Sequence, residues 1–114
     1  MRLKHQQKDG FTINASKTVN VAVEDLYAAF VDDVERKTWF EDASMSLRTA
    51  TEPRSARFDW EDGSTRLAVS FEAKGPSKST IHVAHEKLPD ADEAETAKAM
   101  WRARLGELKA HLEG

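Results

Sequence analysis

The chain contains no cysteine, which excludes a disulfide framework, a thiolate zinc site and a cysteine nucleophile. With 5 Gly and 3 Pro among 114 residues it is neither collagen-like nor low-complexity. Long apolar runs are missing too. No window approaches the roughly 18 apolar residues of a membrane span, and the opening MRLKHQQKDGF lacks the apolar core of a secretory signal. Both absences point to a cytoplasmic protein without membrane insertion. Charge of one sign is also lacking. Seventeen Lys and Arg stand against twenty Asp and Glu, a net charge of -3, interspersed along most of the chain, which argues against a nucleic-acid clamp and its one-signed basic face. No HExxH, P-loop, GxGxxG or serine nucleophile elbow occurs.

What is present is 39% hydrophobic and 32% charged residues, the mix of a folded, highly solvated protein. Domains run to about 100–150 residues, so one domain is expected over residues 11–114, behind a polar, flexible leader over 1–10. From Phe11 to Val21 apolar and polar residues alternate, which predicts a strand. Val23, Leu26, Tyr27, Phe30 and Val31 then change to helical spacing. Asp32-Asp33 stops that helix, and VERKTWF makes a second short turn ending in Trp39 and Phe40.

Period 2 returns from Met45 to Leu88, broken at Pro53, at the hairpin signal Asp62-Gly63 and at Gly75-Pro76, which predicts an antiparallel meander. One face gathers Ala56, Phe58, Trp60, Leu67, Val69, Phe71, Ala73, Ile81, Val83 and His85. The other carries Arg57, Asp59, Glu61, Arg66, Ser70, Glu72, Thr80, His82 and Glu86, and meets water. After Pro89 a long helix is predicted, with Asp92 and Glu95 as a capping box. Ala94, Ala97, Trp101, Leu105, Leu108 and Leu112 fall on one stripe. Gly106 inside it costs about 1 kcal/mol relative to Ala and requires either close packing or tolerance. Laid across the dry sheet face, this helix gives an α+β two-layer sandwich.

With that order, FTINASKTVNVAVEDLYAAFVDD, KTWF, TRLAVSFEAKGPSKSTIHVAHEKLPDADEA and AMWRARLGELKAHLE resemble the START-like, or helix-grip, superfamily (SRPBCC, Bet v 1-like). The likeness covers residues 11–113. Within the superfamily the chain is similar to the branch of Hsp90 ATPase activator homologues and polyketide cyclases. The resemblance implies an antiparallel sheet gripping a long C-terminal helix, here with about five strands where the full fold has about seven. It also implies a groove between sheet and helix that holds a hydrophobic small molecule, without demonstrable catalysis. Two alternatives stay open: a cyclase or aromatase-type enzyme in which His85 assists proton transfer, and a protein-interaction module similar to the Hsp90 activators, working through its surface.

The candidate ligand-binding residues are Trp39, Phe40, Trp60, Phe71, His85 and Trp101. His85 is the one titratable group expected on the dry face, where it serves either a ligand or a structural hydrogen bond. The rings line a cavity or form the core itself: Phe58, Phe71 and Trp101 read as core, and Trp39 and Trp60 either contribute to a cavity mouth or pack with them. Glu41 and Asp42 are the acids expected near an entrance. Arg48, Arg57 and Arg66 read as cross-strand pairs with acids. No cofactor and no metal are expected: His5, His82 and His111 are scattered, and His82 and His85 point to opposite faces of one strand.

Overall fold

A computed structural model describes residues 10–40, 45–60 and 65–113. The first alternating run forms β1 (Phe11–Val19) and stops two residues short of Val21; the leader, Gly10 apart, lies outside the described residues. α1 (Val23–Val31) and α2 (Asp33–Trp39) follow, then β2 (Met45–Thr51), β3 (Ser55–Trp60), β4 (Thr65–Gly75), β5 (Lys78–Leu88) and α3 (Ala91–Glu113). Asp32 separates the two short helices because its carboxylate caps the second, accepting from the Val34 N–H at 2.9 Å and the Glu35 N–H at 3.3 Å. The capping of α3 is shifted from its expected place. Asp90, not Asp92, accepts from the Glu93 N–H at 2.8 Å, so the same three-residue spacing sits two residues earlier.

The strands form one antiparallel sheet in the order β1-β5-β4-β3-β2. β1 and β2 are the two edges, so α1 and α2 carry the chain across the sheet, and α3 returns along β1. All three helices contribute to a core on one sheet face, where Phe30, Phe58, Leu67, Ile81, Trp101 and Leu105 are almost fully buried. This is the helix-grip arrangement, with five strands as the alternation predicts.

Two residues keep their expected faces but not the expected exposure. Ala73 is exposed, lying on the stretch of β4 between Glu72 and Lys74, which are exposed as well. Thr80 is buried, its hydroxyl 2.8 Å from that of Thr18.

Near its end β5 carries one residue more than β1: Phe11 faces Leu88 while Ile13 faces His85. The extra residue is absorbed at Lys87, in the left-handed region at φ 67°. The shift turns Leu88 inward and leaves Lys87 exposed. Gly10 completes the junction, because at its φ of 96° a Cβ would lie 2.5 Å from the Leu88 carbonyl oxygen.

The helix pair α1–α2 is fastened by two side chains. Trp39 donates its indole N–H to the Ala29 carbonyl at 2.9 Å. Arg36, only 4% exposed, donates to the Phe30 and Val31 carbonyls at 2.9 and 3.3 Å and lies 5.7 Å from the Phe58 ring centre. A guanidinium there satisfies carbonyls that the end of α1 leaves open and sits at the negative end of its dipole.

Candidate functional site

Strand parity brings His85 to the helix face beside Leu67 of β4 and Ile13 of β1. The side chain is 2% exposed and makes two hydrogen bonds. Its Nδ1 lies 3.1 Å from Nε1 of Trp101 on α3, and its Nε2 lies 2.9 Å from the hydroxyl of Thr65 at the start of β4.

The donors fix the direction of both bonds. An indole N–H can only donate, so Nδ1 accepts. Burial pushes the imidazole down from 6.5 to about 4, so at neutral pH the ring carries one proton, on Nε2, and donates it to Thr65. The ring's single in-plane lone pair is therefore already engaged by Trp101. This arrangement orders α3 against the sheet and does not equip His85 as a general base near pH 7.

Around this chain the rings pack on one another. Trp101, fully buried, lies 5.6 Å from Trp60, 5.7 Å from Phe40 and 6.1 Å from Phe30 between ring centres. Trp60 meets the His85 ring edge-on at 5.3 Å. Trp39 packs against Phe30 and Phe40, and Phe71 against Tyr27 and Phe30. Trp39, Phe40, Phe71 and Trp101 are thus packed in the interior, and none of them lines the cleft beside His85.

Trp60 and His85 do border one. A half-open cleft of about 420 Å³ lies between the β3–β4 end of the sheet and the first half of α3, within the roughly 300–1,000 Å³ of small-molecule sites. Its sheet wall is Trp60, Thr65, His85 and Leu88. Pro89 joins this to a helix wall of Glu93, Thr96, Ala97 and Met100. The spacing of Glu93, Thr96, Ala97 and Met100 is one helical stripe. Trp60 and Thr65 are register partners across β3 and β4, which sets the ring and the hydroxyl side by side.

Thr65 was within reach of the sequence, since it opens the strand after the hairpin signal and shares parity with Leu67, Val69 and Phe71, but a lone polar residue on that face gives no sign of its hydrogen bond. Leu88 was not, because strict alternation places Lys87 inward instead.

The remaining candidates lie elsewhere. Glu41, Asp42, Asp62 and His5 fall outside the described residues. Asp59 on the outer sheet face sits 3.3 Å from Arg48 and 3.7 Å from Arg66, exposed cross-strand pairs of the expected kind. His82 also faces outward, 3.4 Å from Glu72. Hollows on that face, such as the one bordered by Asn14, Arg57, Ser70 and His82, do not communicate with His85 through any shared lining residue. Among the described residues no three His, Asp or Glu side chains converge as a metal site, and no helix is long and apolar enough to cross a membrane.

No protein-family model and no curated protein sequence matches the chain. Solved structures do. CalU16 from Micromonospora echinospora superposes with a TM-score of 0.79 at 15% identity, over 96% of this chain and 80% of that one. The Aha1 dimer from Colwellia psychrerythraea gives 0.74 at 14%, over 86% and 92%. PFC0360w, an HSP90 activator from Plasmodium falciparum, gives 0.62 at 14%, over 72% and 76%. Similarity at these identities establishes the shared helix-grip fold, and a fold of this kind hosts unrelated functions.

Proposed function

We propose that the domain binds a hydrophobic small molecule in the cleft between the β3–β4 end of the sheet and the first half of α3. The observation that carries this reading is the cleft's composition. Trp60, Leu88, Ala97 and Met100 offer an apolar lining, and a buried polar pair, Thr65 and His85, stands in its sheet wall, the pattern of few polar anchors in an apolar pocket. The groove expected from the sequence thereby moves from the ring cluster to the cluster's edge.

The test is a fluorescence titration with a neutral naphthyl ketone dye, 6-propionyl-2-(dimethylamino)naphthalene. Saturable binding to the wild type that Met100→Trp abolishes, with the far-UV circular dichroism unchanged, is the expected result. Binding that survives the filled cleft overturns the reading.

A second reading is a protein-interaction surface. It draws on the fold shared with Aha1 and an HSP90 activator and on Val34 of α2, which stands 79% exposed. An Hsp90 titration followed by NMR, with shifts centred on α2 and unaffected by Met100→Trp, is the outcome that favours it.

A further inference from the structure

The direction of the hydrogen-bond chain has a consequence for what the cleft accepts. Trp101 donates to His85, and His85 donates to Thr65. Thr65 thus receives a proton on one lone pair and keeps its own O–H to give. That hydroxyl has no other hydrogen-bond partner among the described residues, and the side chain is 8% exposed. Each donation polarises the next group along the line, so the terminal O–H is the strengthened donor. A ligand that seals the cleft removes this O–H from water, and a buried donor without an acceptor is costly. The ligand must therefore bring an acceptor to Thr65.

Charge narrows the class further. Among the described residues the lining includes no Lys or Arg, the buried His85 accepts at Nδ1 and carries no charge, and Glu93 is the charged group. A carboxylate or phosphate ligand would be desolvated there without a countercharge. The aromatic ring in the lining is Trp60, half-buried and packed edge-to-face with His85.

Resting on the cleft as the binding site, the geometry points to a ligand that is uncharged, flat and apolar and carries a hydrogen-bond acceptor, such as a ketone, ester or amide carbonyl, set against the Thr65 hydroxyl.

The experiment titrates the full chain with three matched probes: 2-acetylnaphthalene, its hydrocarbon isostere 2-isopropenylnaphthalene, and 2-naphthoate. Dissociation constants come from the amide and indole resonances of ¹⁵N-labelled protein. The expected result is that the ketone binds about tenfold tighter than the hydrocarbon and that the carboxylate binds more weakly than the ketone. Thr65→Val should erase the ketone's advantage without weakening the hydrocarbon, which no longer buries an unpaired O–H and should bind as tightly or more tightly, and Thr65→Ser should retain it. Equal affinities of ketone and hydrocarbon for the wild type overturn the acceptor inference and leave the cleft as a binding site. So does an equal loss for both probes in Thr65→Val. Tightest binding of the carboxylate overturns the neutral class. Failure of both neutral probes to bind more tightly than about 1 mM overturns the binding reading and the inference together.

Discussion

The indole N–H of Trp101 points at Nδ1 of His85 across 3.1 Å, joining the middle of the long helix to the last strand inside the core. Trp101→Phe removes this donor. Nδ1 is then left as an unpaired acceptor beside a space the smaller ring does not fill, at a cost of about 2 kcal/mol or more. Urea unfolding measures the loss. The same substitution frees the imidazole from its fixed tautomer, which a long-range ¹⁵N–¹H NMR spectrum of the histidines reads directly as the appearance of the Nδ1–H form.

Stability should fall with acid in a window set by His85. The unfolded chain holds a proton on this ring below about 6.5, whereas the folded protein accepts it only near 4. Between those values the unfolded state binds more protons, so the contribution is complete above pH 6.5 and is lost as pH falls towards 4. At about 1.4 kcal/mol per unit, the full loss is on the order of 3 kcal/mol. Trp60, Thr65 and Trp101 surround the ring, and Glu93 shares its cleft. Urea unfolding at a series of pH values is the measurement. His85→Gln should flatten the curve across this window, leaving only the fall at lower pH to which Glu72 and Glu113 contribute, whose carboxyls Lys74 and Lys109 hold below their usual range.

Gly106 should be improvable. A Cβ built there meets nothing within 4 Å, so no close approach requires the glycine, and tolerance is the explanation for its place in α3. Gly106→Ala is expected to stabilise the protein by about 1 kcal/mol, seen as a raised Tm without a change in ligand affinity.

Arg36 should behave as a core residue. Arg36→Met keeps much of the apolar stem against Phe58 but strips the donors from the Phe30 and Val31 carbonyls. Hydrogen bonds from a charged group are worth about 1.5–3 kcal/mol, so a loss of that order is expected in thermal or urea unfolding, far above that of an exposed arginine.

Strand parity was readable because only one sheet face is covered, so hydrophobicity alone sorts Phe58, Leu67 and Val83 from Arg57, Arg66 and His82. The helical stripe through Ala97, Trp101 and Leu105 was readable for the same reason. Phe58, Phe71 and Trp101 read as core, but which of Trp39 and Trp60 borders open space was not readable, since a ring on a dry face packs either against another ring or against empty space, and periodicity is the same in both cases. The bond between Trp101 and His85 depends on how far along and how rotated α3 sits on the sheet, quantities that no spacing encodes. Leu88 entered the cleft through a left-handed Lys87, a conformation lysine does not advertise. Asp90 took the cap from Asp92 because several acids in one stretch offer several equivalent starts.

The most direct measurement is the set of intermolecular nuclear Overhauser effects between bound 2-acetylnaphthalene and the protein's methyl groups. Contacts from the naphthyl protons to the methyls of Thr65, Thr96 and Met100 are the expected result, placing the ring between sheet and helix. Contacts confined to the outer sheet face, to Ala68 and Ala84 beside His82, would contradict the cleft as the binding site.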